Sequence, residues 1–405
     1  MAIASGVAKK LRFKEEASWG VIAPDSDTTY TRKSLRRVQS TLDLTKDVYQ
    51  SNEIRSDYQV YDARHGVRKV AGNINGEFSL GTYADLLAAA LRYSWQNGAT
   101  FTSSTGSEIT TTANTIVRAS GSWIADGFKV GDVGRLAGHP TSANNGVNLR
   151  ILSLTATTIT VPAGSLTVNA TPATGVTFAV KGKKLWVPST GHLDRSFTFE
   201  HYYSDIGESE QFTGCKVNTA QIALPATGMM TAQFGIMGKD MLTTSGASAP
   251  YFTSVAADTT TGVLAAVNGV LRIAGTDVAV VTGLQLNIDG GYTSEPVVGS
   301  NTVPSLVPGR VKVSGQFTAQ FDSPTFRNAF INESEVGLYS FIEAAGTDPK
   351  DFLGIGLERI KLGGAQRDDG EKAIVGTYPF TALLSTGGTG TAFNGSTIVL
   401  QDSTL

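Results

Sequence analysis

Four histidines, one cysteine and their acidic neighbours are the side chains of this sequence that could bind a metal or attack a substrate. His192 and His201 lie nine residues apart with Asp194 and Glu200 between them, and such groups can ligate zinc. The residues before His201 alternate as a strand, however, so Glu200 and His201 point to opposite faces. We therefore interpret them as polar side chains at a surface or a strand edge.

The other patterns that support catalysis are missing. Cys215 has no neighbouring base in the sequence, so we expect a buried or inert thiol. The sequence contains neither a glycine-rich phosphate loop nor a nucleophile elbow. Together these observations predict a protein that is not an enzyme and that uses no metal or cofactor.

The composition is typical of a β-rich protein. Glycine accounts for 45 of the 405 residues, and short alternating runs are separated by Gly, Asn, Asp and Pro. A single cysteine excludes an internal disulfide framework and fits a reducing compartment. The absence of a run of 18 apolar residues predicts no membrane-spanning helix and no membrane insertion.

A strand that leads into a helix is the clearest local pattern. From Val70 to Leu80 the residues alternate, as in a strand with one buried face. At Thr82 the period becomes helical, and Thr82 with Asp85 has the spacing of a capping box. We expect a half-buried strand followed by a short helix.

A second version of this pattern lies downstream. Residues 310–322 alternate again, and Ser323-Pro324 predicts a helix start with Ser323 as its N-cap. Aligning Gly76 with Gly315 superimposes the two strands. The recurrence favours an internal duplication, although two unrelated half-buried strands would share the same alternation.

Charge and composition divide the chain into a scaffold and an insert. Residues 191–405 carry 12 Lys and Arg against 21 Asp and Glu, whereas residues 101–190 carry 7 against 3. Several short strand patterns fill residues 99–187, and the two strand–helix patterns flank them. We predict a discontinuous scaffold, residues 1–98 plus 188–405, with a small inserted β-domain at 99–187. Two domains in sequence are the alternative.

A charged segment precedes the first strand. Residues 29–69 contain nine Lys and Arg, five Asp and Glu, and four tyrosines, with few apolar residues to bury. A long segment without its own core is uncommon unless a partner orders it, and Tyr and Arg are enriched at protein interfaces. We interpret it as an assembly arm. A nucleic-acid-binding arm would need a stronger basic surface.

Four stretches of the chain resemble the major tail tube proteins of long-tailed, siphovirus-type bacteriophages. The most specific is SNEIRSDYQVYDARHGVRKVAGNINGEFSLGTYADLLAAAL at 51–91, which is similar to the N-terminal part of that family. Residues 127–161 are similar to small β-domains within such proteins, and residues 307–330 and 351–364 fit the second half of the family.

The resemblance implies a tail-tube β-sandwich with a flanking short helix. In that family, subunits form rings, commonly hexameric, in which strands of all subunits close into one inner barrel. The rings stack into the tail tube, the conduit for DNA into the host. It further implies a virion protein, assembled in the host bacterial cytoplasm, whose partners are itself and the tape-measure, tail-terminator and distal tail proteins.

Two sets of residues become candidates for the functional surfaces. The polar faces of the two strands would line the lumen, and the acidic second half would repel DNA, as a conduit requires. The lumen-facing candidates are Asn73, Asn75, Glu77, Ser79, Lys312, Ser314, Gln316, Thr318 and Gln320. The candidates for contacts between rings or subunits are Arg36, Arg37, Tyr49, Arg55, Asp57, Tyr58, Tyr61, Asp62, Arg64 and Lys69.

A surface binding or adhesion module is the alternative from a different class. In that case the inserted domain would recognise carbohydrate, with aromatic support from Trp123, Phe128 and Trp186. Core positions explain these three side chains better.

Overall fold

Alternating residues form strands along most of the chain, so the prediction of a mainly β protein is confirmed. The computed structural model describes residues 3–278, 281–369 and 371–405. The elements before residue 98 are β1 (Lys9–Glu15), β2 (Lys33–Ser34), β3 (Gln39–Ser40), β4 (Asp43–Gln50), β5 (Ala63–Glu77), helix α1 (Ala84–Ala90) and β6 (Gln96–Asn97).

Residues 99–181 contain nine short strands of their own. They are β7 (Thr100–Thr102), β8 (Ile109–Thr111), β9 (Thr115–Arg118), β10 (Val133–Ala137), β11 (Leu149–Arg150), β12 (Ser153–Leu154), β13 (Thr158–Thr160), β14 (Asn169–Ala173) and β15 (Thr177–Val180). They form one four-stranded and one five-stranded antiparallel sheet.

The remaining elements follow this segment. They are β16 (Lys183–Trp186), β17 (Phe197–Tyr203), β18 (Glu208–Pro225), β19 (Thr231–Gly238), β20 (Asp240–Ser245), β21 (Gly269–Ile273), β22 (Thr276–Asp277), β23 (Val281–Asp289), β24 (Thr293–Ser294), β25 (Leu306–Val307), β26 (Lys312–Gln320), helix α2 (Thr325–Ile331), β27 (Val336–Glu343), β28 (Phe352–Leu362), β29 (Gln366–Arg367), β30 (Val375–Ala382) and β31 (Val399–Asp402).

A broad antiparallel sheet, which we call the wall, is the main feature of the scaffold. Its strand order is β3/β4, β5, β19, β18, β23, β26, β30 and β28/β29. Within the described residues its two end strands are not paired with each other, so the wall of one chain stays open.

Two long strands continue from the wall into further layers. The first part of β18 pairs with β17 and β20, and β17 pairs with β1. The first part of β28 pairs with β27 and β31, and β31 pairs with β16. One hydrophobic cluster fills the space between the layers and includes α1, the apolar face of the wall and the phenylalanines of β17.

The segment 99–187 leaves and rejoins the scaffold at one place. The chain departs after β6 and returns at β16, and these two strands pair through Lys183 and Asn97. The segment has a hydrophobic cluster of its own that includes Trp123, Phe128 and Phe178.

The strand order of the first half of the scaffold recurs in the second half. The first half has the pairs β4–β5, β5–β19, β19–β18 and β18–β17. The second half has β23–β26, β26–β30, β30–β28 and β28–β27 in the same chain order. In each half, a helix follows the second strand and lies against the long strand, α1 against β18 and α2 against β28.

Both helix starts differ from the prediction. Tyr83 is the N-cap of α1 and Pro324 that of α2, and neither N-cap makes a side-chain capping bond. The Thr82 hydroxyl instead bonds to the hydroxyls of Ser79 (2.6 Å) and Thr259 (2.5 Å). Asp85 pairs with Lys33 and Arg195, so tertiary contacts replace the predicted local caps.

The C-terminal segment is part of the scaffold. Its strand β31 lies buried between β16 and β28. Among the helices of the described residues, none is long and apolar enough to cross a membrane.

Candidate functional site

A continuous polar surface covers one face of the wall. Because residues directly opposite each other on neighbouring strands share a face, the registers define a row that crosses all eight strand positions. That row consists of Gln39, Asn75, Gln233, Gln221, Asn287, Ser314, Thr381 and Lys361. All eight side chains are polar, although they come from distant parts of the sequence.

Two further rows flank the first. One contains Glu77, Thr231, Ala223, Gln285, Gln316 and Pro379, and the other contains Asn73, Gly235, Thr219, Asp289 and Lys312. Neighbouring amides bond across the strands, Asn75 to Gln39 (3.4 Å) and Gln316 to Gln285 (3.3 Å). The surface is therefore built mainly from amides and hydroxyls.

The charges of this face balance. The three rows carry Glu77 and Asp289 as acidic groups and Lys312 and Lys361 as basic groups. The acidic excess of the second half of the chain is not concentrated here. The three rows therefore present hydrogen-bonding groups and no net charge.

Eight of the nine lumen candidates lie on the open side of β5 and β26. Asn73, Asn75 and Glu77 alternate with the buried Ile74 and with Gly76. On β26, Lys312, Ser314, Gln316, Thr318 and Gln320 alternate with buried positions in the same way.

Ser79 is the exception among the lumen candidates. It follows the end of β5 and is only 1% exposed. Its hydroxyl bonds to Thr82 (2.6 Å) and accepts a bond from Arg36 (3.3 Å). The alternation that predicted an outward side chain ends at Glu77, where β5 ends.

The β4–β5 hairpin extends beyond the wall as an arm. Strand β19 pairs only with Val70–Glu77, so residues 45–69 form a two-stranded ribbon with a tip at residues 51–62. Large side chains at the tip are open to solvent, with Ile54 and Tyr58 almost fully exposed. Such a surface is unusual for a subunit that stays alone.

Most of the predicted contact residues lie on this arm. Arg55 stacks on Tyr61 (4.5 Å to the ring centroid) and pairs with Asp57 (3.2 Å). The other ion pairs are Arg64–Asp62 (2.8 Å) and Lys69–Asp47 (3.2 Å). Tyr49 is exposed beside them. These pairs are solvent-exposed, so each contributes at most about 1 kcal/mol to folding.

Arg36 and Arg37 are not part of the arm surface. Arg36 donates to the carbonyls of Thr259 (3.3 Å) and Thr261 (2.8 Å), and Arg37 donates to the carbonyl of Lys9 (2.5 Å). Both guanidinium groups hold parts of their own subunit together. The charge pattern alone could not distinguish them from the arm residues.

Sequence reasoning missed a second projecting loop. Residues 290–311 connect β23 to β26, as the arm tip connects β4 to β5. Val297 and Val298 are exposed on this loop, and its Asn301 carbonyl accepts the backbone N–H of Arg68 at the base of the arm (2.8 Å). The only sign of this loop in the sequence was its position between β23 and β26, the strands that correspond to β4 and β5.

The polar residues of β17 are buried, which corrects the surface interpretation. Glu200 and His201 are 0% and 1% exposed, because the loop after β20 covers Glu200 and Ser40 of β3 lies against His201. Glu200 accepts the backbone N–H of Tyr251 (2.6 Å) and the hydroxyl of Ser209 (2.6 Å). The contacts of Glu200 join β17 to the loop after β20.

Another buried carboxylate, Glu16, was not predicted. It accepts bonds from Ser196 (2.8 Å), Thr198 (2.9 Å) and the backbone N–H of Gly214 (2.7 Å). Burial raises the pKa of Glu16 above its usual value, and these bonds oppose that shift. Its hydrogen-bond capacity is used within the fold, so it has no evident role in catalysis.

The described residues contain no cluster of His, Cys, Asp and Glu that could hold a metal ion. Cys215 is fully buried, and burial raises the pKa of its thiol.

The aromatic side chains of the carbohydrate hypothesis do not form a platform. Trp123 and Phe128 are 0% exposed and pack edge to face in the core of segment 99–187 (5.2 Å). Trp186 packs on Tyr93 at the scaffold (5.2 Å). Sugar-binding aromatic rings have to be accessible to solvent, and Trp123 and Phe128 are not.

A protein-family model described as phage tail tube protein matches residues 6–382. None of the curated proteins matches the chain.

Proposed function

Because the chain belongs to the phage tail tube protein family, we propose that it forms hexameric rings that stack into the tube through which DNA passes. The observation that carries this proposal is the polar face of the wall. It runs across eight strand positions of one chain and ends at open sheet edges.

The wall has the properties of a lumen lining. Its apolar face packs into the scaffold core, and its other face consists mainly of neutral polar groups. Closing several walls into one barrel would remove the exposed edges, which otherwise favour aggregation. A nearly neutral amide surface binds phosphate weakly, because tight binding to DNA depends on cationic groups.

The arm is the proposed contact between stacked rings. Its exposed Ile54, Tyr58 and Tyr61 offer apolar and aromatic area, and its interleaved charges would set the register with the neighbouring ring. The segment 99–187 would lie on the outside of the tube as a separate inserted domain. Its own hydrophobic core and the pairing of its two ends through β6 and β16 support that placement.

The further partners follow from the same proposal. A tube needs proteins that start it, set its length and end it, and we propose distal tail, tape-measure and tail-terminator proteins for these roles. Assembly would take place in the host bacterial cytoplasm, and the product would be part of the virion tail.

Negative-stain electron microscopy of the purified protein tests the central proposal. We expect rings or hollow tubes with a regular axial repeat, before or after concentration. Particles that stay monomeric even when seeded with preassembled tail tips would contradict it.

Replacing residues 51–62 by Asn-Gly tests the arm. Gln50 and Ala63 are paired neighbours, so a two-residue turn can close the shortened hairpin. We expect a folded subunit that still forms rings but no longer stacks, measured as tube length by electron microscopy. A Gly-Ser replacement of the same twelve residues separates the effect of length from that of the side chains. Tubes of normal length from both variants would rule out this role.

A further inference from the structure

Two copies of one structural unit make up the scaffold, and the residues of their wall strands can be matched in pairs. Glu77 opposite Thr231 is the end pair in the first copy, and Gln320 opposite Val375 is the end pair in the second. Counting back from these pairs matches the residues of β5 with those of β26. The matched pairs are Val70 with Val313, Gly72 with Gly315, Ile74 with Phe317 and Gly76 with Ala319.

The match extends to burial and to an irregularity. Strands β19 and β30 bury the same four positions of their eight residues. In β18 the register shifts between Val217 and Thr219. The second copy shifts at the equivalent place, between Leu362 of β28 and Gln366 of β29. Gly72, and not Gly76, therefore corresponds to Gly315, four residues from the alignment read off the sequence.

The two copies join within the chain by strand pairing. The last part of β18 pairs with β23 over seven residue pairs, from Thr219–Asp289 to Pro225–Gly283. Strand β18 is the last wall strand of the first copy, and β23 is the first wall strand of the second. This junction shows how one unit adds to another.

The wall of one chain ends in two strand edges that correspond to the two edges of the β18–β23 junction, and neither has a partner in the described residues. The counterpart of β23 is the stretch β3–β4, which pairs with β5 on one side only in the described part of the chain. The counterpart of the last part of β18 is residues 362–367, whose partner within the described ranges is β30 alone. Edges without a partner are templates for a further strand.

We infer that neighbouring chains join by repeating the internal β18–β23 junction. The β3–β4 edge of one chain adds to the 362–367 edge of the next, so every chain supplies two units of the ring. The inference rests on the proposed function and specifies its partner as a second copy of this chain. It revises the expectation of six chains to six units from three chains.

The pairing register between two chains follows from the register of the internal β18–β23 junction. Gln221 corresponds to Gln366 and Asn287 to Asp43, so the Gln221–Asn287 pair predicts that Gln366 lies opposite Asp43. The polar face of the wall then continues across the junction through Gln366 of one chain and Asp43 of the next.

The size of the barrel sets a lower limit of three chains. Each chain provides eight strand positions, and strands lie about 4.8 Å apart and tilt by about 40° in barrels. Two chains would give about 30 Å between opposite backbones, which side chains reduce to about the width of a DNA duplex. Three chains give about 50 Å, which leaves room for a hydrated duplex. Three is the smallest number that admits DNA.

Cysteine cross-linking tests the junction. The variant D43C/Q366C places two thiols directly opposite each other, within the Cα separation of a disulfide. We expect oxidation to link chains up to a closed trimer on non-reducing gels. The matched control D47C/Q366C moves one thiol four residues along β4 and should stay unlinked. Cys215 remains in both variants because it is fully buried.

Cryo-electron microscopy of tubes supplies the second measurement. We expect three-fold symmetry with density for segment 99–187 three times per ring. Tubes with six chains per ring would overturn this inference and leave the proposed function standing. Linkage in D47C/Q366C but not in D43C/Q366C would do the same. A protein that never forms rings or tubes, even when seeded with tail tips, would instead overturn the proposed function.

Discussion

His201 is a buried histidine that makes the stability of the subunit depend on pH. Its Nε2 lies 2.8 Å from the Ser40 hydroxyl, and its Nδ1 lies 3.6 Å from Glu210. Burial lowers the pKa of His201, the bond to Glu210 opposes this, and the charges of Lys9 and Arg37 add to it. The folded subunit therefore binds a proton less readily than the unfolded chain.

We expect stability to fall as the pH drops below about 6.5, the usual pKa of histidine, because the unfolded chain then takes up a proton that the folded form resists. The hydrogen bond from His201 lowers the pKa of Glu210, whose contribution is lost only below about pH 4.5. The variant H201Q should flatten the change in melting temperature between pH 7 and pH 5. The variant H65Q, at an exposed position of β5, is the control. An unchanged slope in H201Q would contradict the assignment.

At the level of single residues, the sequence predicted surfaces better than interiors. The alternation of β5 and β26 identified eight polar positions on the open face of the wall. The same alternation could not reveal that both faces of β17 are covered, because that depends on β1 and on the loops around it. Buried Glu16 and Glu200 look like surface residues until their hydrogen-bond partners are known.

The two faces of β26 have opposite energetic roles. Phe317 is 0% exposed and contacts Phe326, Tyr378 and Phe380. We expect F317A to lower the free energy of unfolding by about 3–5 kcal/mol, because it removes a large buried side chain and leaves a cavity. The adjacent variant Q316A should change it by about 0.5 kcal/mol or less, since that side chain faces solvent.

Urea denaturation of the unassembled subunit measures both variants of β26. Equal effects of F317A and Q316A would mean that the strand does not separate a core face from an open face.

The ends of the helices and the register of the strands depend on contacts that local sequence patterns do not reveal. Both predicted helices exist, but their predicted N-caps are not used, since Thr82 and Asp85 bond to distant residues instead. The correspondence between the two copies was placed four residues off, because an alternating strand matches itself equally well after every even shift. Only the pairing with β19 and β30, which is remote in sequence, fixes the register.

On the scale of the whole molecule, the balance of charge on the wall should decide whether DNA passes through the tube or binds to its lining. The variant Q221K/N287K places two lysines opposite each other on β18 and β23. We expect tubes that retain duplex DNA in a salt-sensitive way and protect it from nuclease, whereas wild-type tubes retain little.

The control for the lysine variant carries the same charge elsewhere. The variant S104K/T171K adds two lysines at exposed positions of segment 99–187. DNA bound by these tubes should remain open to nuclease. Nuclease protection in the control, or its absence in Q221K/N287K, would contradict the assignment of the wall to the lumen.

The β18–β23 junction also has a genetic consequence. Since one polypeptide holds both units, each is always present in equal number and always next to the other, at an effective concentration that separate chains would not reach. The first unit carries segment 99–187 and the second has no counterpart to it. In the proposed ring, natural variation in segment 99–187 would therefore change one unit of each chain and leave unchanged the wall strands that set the spacing of the ring.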